Sequence, residues 1–361
     1  MKSIKVAAEH MYEVHVGTNI LDNVAKQISE KVNQVAVIFA PAVKSLALDM
    51  VSQIQTTKPE IAVHLIAAPD SEAAKTFDFV EVAHNLLGEL KFTRSDLVIS
   101  VGGGATTDVA GFIAATWLRG IDIIHIPTTL LAMVDAAVGG KTGINTKAGK
   151  NLVGAFHNPV SVWCDVAFLE TLPESDLRAG FAEVIKCGFI SDQKIIELIE
   201  KSPKDVFEKS VICQFIERAV AVKAKVVAAD FKENQSGGLG REILNYGHTF
   251  GHAIEKIENY SWRHGDAISV GMMFVAHLSN RTGHCSAEFV HKQKQLLETI
   301  GLPISYNGDF DSLVDAMRID KKARGNTLRF IGLSDFGKPI IINAPDIADL
   351  EWCYEQIAGG K

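Results

Sequence analysis

Leu97-Val-Ile-Ser-Val101-Gly102-Gly103-Gly104-Ala105-Thr106-Thr107-Asp108-Val-Ala-Gly111-Phe112 decides how this chain folds. Its first residues are aliphatic and β-branched and read as a short buried strand. Three glycines follow, and then a helix start. Glycine lets a backbone come close to an anion, and the first turn of a helix offers unpaired N–H groups and the positive end of its dipole. The stretch predicts a strand–turn–helix phosphate cradle. It is not the G-x-G-x-x-G spacing of a standard dinucleotide fold, and a plain tight turn would look the same.

The flanking sequence repeats the alternation. Before it, strands are expected over 11–16, 34–40 and 61–67, with helices over 19–31, from Pro41 onward, and over 77–90. After it, a strand over 122–126 meets Pro127-Thr128-Thr129, which opens a helix running to Asp135. Repeated βα units imply a parallel sheet covered by helices. Gly139, Gly140, Lys141, Gly143, Lys147, Gly149, Lys150 and Asn151 then suggest a flexible basic loop. It lacks P-loop spacing, but lysines near glycines suit a phosphate-bearing ligand. A last strand over 160–165 leads to Phe168-Leu169-Glu170-Thr171.

A boundary is expected near residue 173. It divides an α/β Rossmann-like domain over 1–173 from a mostly helical one over 174–361. Helices are expected over 174–190, 204–230, 241–259, 266–282 and 287–300, and a hairpin over 328–333 and 339–342.

The 361 residues are 47% hydrophobic and 22% charged, an ordinary globular composition. A net charge of −7 argues against a nucleic-acid partner. The five cysteines are widely spaced, with no C-x-x-C, so reduced thiols are expected. The N-terminus has no signal-peptide pattern and no apolar run reaches spanning length, which points to a cytoplasmic protein without membrane contact.

Polar chemistry gathers in the helical half. A helix over 241–259 would carry His248, His252 and Glu255 on one face, with Arg241 and Asn245 preceding at helical spacing. Histidines four apart are usually surface or satisfied core residues, and the order is not His-Glu-x-x-His. Glu183 and Lys186, three apart, are most simply a helix-surface ion pair. The functional reading makes Glu183 the oxygen ligand beside His248 and His264. Two imidazoles and a carboxylate from separate helices, with an open position, match a catalytic zinc site. Lys223 and Arg241 would neutralise a substrate carboxylate, and Asp320-Lys321-Lys322 adds a late basic group.

Read together, GGG…D…GF at 102–112, PTTLLAMVDAAVGGKTGIN at 127–145, GKNLVGAF at 149–156, AEVIK at 182–186, NYGHTFGHAIE at 245–255 and RHGDAISVGM at 263–272 resemble the 3-dehydroquinate synthase family. The match runs in order from about residue 70 to 333. The resemblance implies an α/β nucleotide domain followed by a helical domain. It also implies a homodimer and the conversion of 3-deoxy-D-arabino-heptulosonate 7-phosphate to 3-dehydroquinate and phosphate. NAD would be used catalytically with a divalent metal, zinc or cobalt. Glu183, His248 and His264 would be the metal ligands. Asp70, Ser71, Glu72, Ala73, Ala74, Lys75, Gly103, Gly104, Ala105, Thr106, Thr107, Asp108, Thr128, Thr129, Lys141, Lys150, Phe168, Leu169, Glu170 and Thr171 would be the NAD contacts. Asp135, Lys141, Asn151, Lys186, Lys223, Arg241, Asn245, His252 and either Lys321 or Lys322 would serve the substrate, and Arg119 its phosphate across the dimer. Ala136-Ala137 replaces a frequent serine pair, the segment 233–240 looks long, and Phe39-Ala40-Pro41 lacks the usual acid for the adenosine ribose. The alternatives are another sugar-phosphate cyclase, an iron-type polyol dehydrogenase with net NADH release, and a silent binding protein on the same scaffold.

Overall fold

The computed structural model describes residues 1–232, 239–321 and 328–359, with 319–321 by backbone only. It forms two compact units. The first is Met1–Leu172 with Lys223–Lys232; the second is Pro173–Val222 with the described residues from Leu239 onward. The first unit ends beside the boundary expected near residue 173, and Lys223–Lys232 also group with it.

The strands of the first unit are β1 (Lys2–Ala7), β2 (Met11–Gly17), β3 (Gln34–Phe39), β4 (Ala62–Ala67), β5 (Leu97–Gly102), β6 (Asp122–Pro127), β7 (Lys141–Thr146), β8 (Gly149–Phe156) and β9 (Ser161–Asp165). Seven of them make one sheet in the order β1-β2-β9-β6-β5-β3-β4. All its pairings are parallel except β1 with β2. The β1 edge was not expected from the sequence. β5 is buried at every residue and lies between β3 and β6, which is why it reads as a continuous apolar run.

The helices of this unit are α1 (Leu21–Gln27), α2 (Lys44–Thr57), α3 (Phe77–Glu89) and α4 (Gly104–Thr116). α4 sets Val109, Ala110 and Ile113 into a cluster with Ile38, Val98 and Ile123. Each valine or isoleucine side chain buried there contributes about 1.5–3 kcal/mol. α1 is shorter than the expected 19–31. Ile28 turns extended, and the Ser29 hydroxyl accepts the Lys31 N–H in a local turn that competes with helix.

The flexible loop expected around 138–151 is instead an antiparallel hairpin, β7 with β8. Thr142 and Ile144 point inward on alternate residues, and Thr142 Oγ1 donates to the Ala155 carbonyl at 2.8 Å. The helix after Thr129 closes with a π-turn over Ala132–Ala136, a widening of the ladder often seen at functional positions.

The second unit contains α5 (Glu174–Ile190), α6 (Gln193–Lys201), α7 (Lys209–Ala229, whose residues from Lys223 belong to the first unit), α8 (His248–Ile257), α9 (His264–Arg281), α10 (Ala287–Ile300), α11 (Phe310–Lys321) and α12 (Ile347–Ile357). β10 (Arg329–Asp335) and β11 (Lys338–Asn343) form the expected hairpin. α9 is buried over most of its length, with α5, α8, α10, α12 and β10 packed around it. α6, α11 and α12 were not read from the sequence.

The single helix expected over 241–259 is split. A 3-10 turn covers Arg241–Asn245, and α8 starts afresh after Gly247, whose φ of +81° is left-handed. Arg241 and Asn245 consequently do not share a helix face with His248, His252 and Glu255. Among the described residues no helix is long and apolar enough to cross a membrane. All five cysteines are free thiols.

Candidate metal centre and nucleotide cradle

Three helices of the second unit meet where their backbones touch. A Cβ on Gly265 would lie 1.7 Å from the Ala179 carbonyl oxygen, so α9 reaches α5 only because residue 265 has no side chain. A Cβ on Gly271 would lie 2.0 Å from the Gly247 carbonyl, which locks α8 to α9 in the same way. This packing delivers Glu183 from the middle of α5, His248 from the start of α8 and His264 from the start of α9.

One donor atom from each of these three residues lies within 4.8 Å of the others. Glu183 is 2% exposed. Its Oε1 is 3.6 Å from His248 Nε2 and 3.7 Å from His264 Nε2, and has no hydrogen-bond donor among the described residues. Its other oxygen pairs with Lys186, itself buried. The far nitrogens of the two rings are held: His248 Nδ1 lies 3.2 Å from the Tyr246 carbonyl, and His264 Nδ1 lies 3.1 Å from Glu255 Oε2. Outer partners of this kind fix the tautomer of a metal-binding imidazole. A second grouping, His252 with Glu255 and His264, is also close, but His252 is exposed.

Burial would raise the Glu183 carboxyl, but Lys186, His248 and His264 outweigh it and hold the group well below the usual carboxylate range. Burial, then Lys186, pushes His248 well below the usual imidazole value. Burial would also lower His264, yet Glu183 and Glu255 push it up to about 10. An ionised carboxylate and a neutral imidazole are ready ligands, and a divalent cation would displace the His264 proton. Two imidazoles and one carboxylate around a buried oxygen suit zinc or cobalt.

In the first unit, β5 delivers the glycine turn. A Cβ on Gly103 would meet Thr129 Cγ2 at 3.2 Å, and one on Gly104 would meet Ala136 Cβ at 3.1 Å. The turn is thus a cradle that side chains would fill. Ala105 follows in the first turn of α4. Thr106, Thr107 and Thr128 are buried beside it and Thr129 is half-buried. The Thr128 N–H donates to the Gly102 carbonyl at 2.9 Å, tying the two strand ends together. The bare helix N-terminus and flanking hydroxyls fit a dinucleotide's phosphates.

Asp70, Ser71, Glu72 and Ala73 are exposed, around the 3-10 turn Ser71–Ala74. Ala74 and Lys75 are buried. Lys75 Nζ donates to Asp108 Oδ2 at 2.5 Å and to Asn151 Oδ1. Burial raises the Asp108 carboxyl and Lys75 only partly offsets it. Lys150 lies 3.8 Å from Glu72. Lys223 donates to the Asp135 carbonyl at 2.5 Å and to its carboxylate. Lys141 is exposed at the start of β7. Phe168 and Leu169 are core side chains, whereas Glu170 and Thr171 are exposed. Arg119 is exposed at a φ of +69°. Arg241 is buried and Asn245 half-buried. The Lys321 side chain, Lys322, and positions 233–238 of the long segment lie outside the described residues.

The sequence reading gave no role to Glu255, Tyr246 or Asn145. Glu255 was visible as the third member of the His248, His252, Glu255 face. The other two act through backbone and cross-strand contacts that no local spacing announces.

Residues 65–179 match the 3-dehydroquinate synthase N-terminal family, and residues 180–323 match the 3-dehydroquinate synthase C-terminal family. The 3-dehydroquinate synthase of Paenarthrobacter aurescens (strain TC1) is 48% identical over 366 residues, covering 98% of each chain. That of Corynebacterium diphtheriae (strain ATCC 700971 / NCTC 13129 / Biotype gravis) is 47% identical over 362 residues, covering 99% of each. Among solved structures, 2-deoxy-scyllo-inosose synthase complexed with carbaglucose-6-phosphate, NAD+ and Co2+ gives a TM-score of 0.88 at 28% identity, covering 98% of this chain and 100% of that one. A probable glycerol dehydrogenase from Sinorhizobium meliloti 1021, at 15% identity and a TM-score of 0.66 over 95% of each chain, shares the fold alone.

Proposed function

This chain belongs to the 3-dehydroquinate synthase family, and from that premise we propose how its residues divide the work. The enzyme converts 3-deoxy-D-arabino-heptulosonate 7-phosphate to 3-dehydroquinate and phosphate in the shikimate pathway, with NAD and a divalent metal of the zinc or cobalt type. Glu183, His248 and His264 would hold the divalent cation, which would lower the pKa of the substrate's carbon 5 alcohol, and the glycine turn would hold NAD, whose chemistry would be reversible hydride transfer at that carbon. Oxidation there makes the neighbouring C–H bond acidic enough for phosphate to leave. Reduction, ring opening and an intramolecular aldol step then close the carbocycle.

The protein's part is positioning and charge. Glu183, His248 and His264 would hold the cation, with Tyr246 and Glu255 aiming the imidazoles. The Gly103–Gly104 backbone with Thr106, Thr107, Thr128 and Thr129 would take the dinucleotide. In the first unit we assign Lys141 and Asn151 to the substrate phosphate and Lys223, paired with Asp135, to its carboxylate. In the second, Arg241 would take the carboxylate, Asn245 and Lys186 the hydroxyls, and His252 the phosphate. Lys321 or Lys322 would add a cation. A cytoplasmic homodimer, with Arg119 serving the neighbouring copy's phosphate, belongs to the same proposal, and sedimentation tests it.

The observation that carries the reading is the Glu183 Oε1 atom, buried and facing two imidazole nitrogens at 3.6 and 3.7 Å. The test is incubation with the heptulosonate phosphate, NAD and zinc, following phosphate and product by NMR. His264→Ala should lose metal and turnover while remaining folded. Full turnover by metal-free protein would remove the metal assignment. Net accumulation of NADH would favour a polyol dehydrogenase instead.

A further inference from the structure

Val138, Gly139 and Gly140 join the π-turn that carries Asp135 to Lys141, the first residue of β7. Gly139 has a φ of +105° and Gly140 one of +67°. Glycine enters this left-handed region without steric cost, but it also has the most backbone freedom to lose. Two in succession do not keep one conformation unaided. The fold holds them from outside. The Gly139 N–H donates to the Tyr12 hydroxyl at 2.8 Å. The His157 N–H donates to the Gly140 carbonyl at 2.8 Å, and a Cβ on Gly140 would meet the Asn158 side chain at 2.5 Å.

Tyr12 brings its anchor from β2, in the edge hairpin of the large sheet, and is only 3% exposed. Gly139 is buried too. Without the hydroxyl its N–H would lose this acceptor away from water, and the turn would shift to find another. Lys141 stands two residues further on and is exposed. Its ammonium ends a flexible four-carbon stem. What the fold can set is where that stem starts and which way it leaves, and the glycine turn sets both.

We propose that Tyr12 is a positioning residue for the substrate phosphate: its hydroxyl fixes the Gly139–Gly140 turn, which places Lys141 so that its ammonium meets the phosphate oxygens. The proposal rests on the assignment of Lys141 to the phosphate given above.

The experiment is a double-mutant cycle with Tyr12→Phe and Lys141→Met, read by competitive inhibition with inorganic phosphate, by KM for the heptulosonate phosphate and by urea unfolding. Tyr12→Phe removes one oxygen and keeps the ring packed. Val14→Ala, at a buried position on the same strand, is the control for lost stability alone. Lys141→Met should weaken phosphate inhibition by about ten- to a hundredfold, the worth of one charge-assisted hydrogen bond. Tyr12→Phe should weaken it by about fivefold and raise KM to match, with kcat within about twofold. In the Lys141→Met background Tyr12→Phe should add almost nothing to either constant, because the two act as one unit, while still lowering the urea midpoint. Val14→Ala should lower the midpoint and leave phosphate inhibition as it was. Unchanged inhibition in Tyr12→Phe, an equal weakening in Val14→Ala, or additive effects in the cycle would overturn the positioning role alone. Unchanged phosphate inhibition in Lys141→Met itself would overturn both this role and the phosphate assignment.

Discussion

Glu255 Oε2 lies 3.1 Å from His264 Nδ1, while the other ring nitrogen of His264 faces Glu183. The carboxylate orients the ring and makes the facing nitrogen a better donor. Glu255→Ala should therefore lower zinc affinity by about ten- to a hundredfold. Competition with a chromophoric chelator measures this. An unchanged affinity would reduce Glu255 to an ordinary buried acid.

Gly265 is the contact that lets α9 approach α5. Gly265→Ala would put a methyl 1.7 Å from a backbone oxygen, so the helices must part, at a cost of about 3 kcal/mol or more. Gly283 is the control. Its φ is +77° but nothing lies within 4 Å, so Gly283→Ala should cost only about 1–2 kcal/mol from the left-handed backbone. Urea unfolding compares them. Equal losses would show that the close approach at residue 265 does not matter.

His125 is buried in β6, with Nδ1 2.7 Å from the Ser100 hydroxyl. Burial, aided by His157, pushes it down from 6.5 to about 3. The unfolded chain takes up a proton near 6.5 and the folded one does not, so the unfolded state binds more protons between these values. Stability should fall as pH drops through this window, by about 1.4 kcal/mol per unit from this group. His125→Asn should show a correspondingly shallower loss between pH 6.5 and 5 in urea titrations. Equal slopes would show that His125 titrates normally in the fold.

Arg241 is buried in the turn that precedes α8. If it takes the substrate carboxylate, Arg241→Lys should raise KM by about tenfold through loss of the paired guanidinium geometry, with a smaller change in kcat. Steady-state kinetics with the heptulosonate phosphate decide this. An unchanged KM would free Arg241 of that role.

Much of this was legible beforehand. The apolar run at 97–101 and the glycines after it gave the strand, the turn and α4, because a buried parallel strand and a bare helix start leave local marks. The helices over 174–190 and 287–300 fall on the residues expected, since each has a turn or capping residue before it and an apolar periodicity within. The hairpin over 141–156 was misread because glycine and lysine density resembled a loop, and only its packing reveals that Thr142 and Ile144 alternate inward.

The residue types available for chemistry were set by the sequence: a carboxylate on α5, a histidine at the start of α8 and another at the start of α9, and a glycine turn after a buried strand. Tertiary structure alone decided that Glu183 Oε1 would face both imidazoles, that Gly247 would cut one apparent helix in two, and that Lys75 would lie buried behind Asn151. The physical reason is range. Propensity and periodicity act over a few residues, whereas these relations depend on backbones that touch across tens of residues, where one missing Cβ sets the distance.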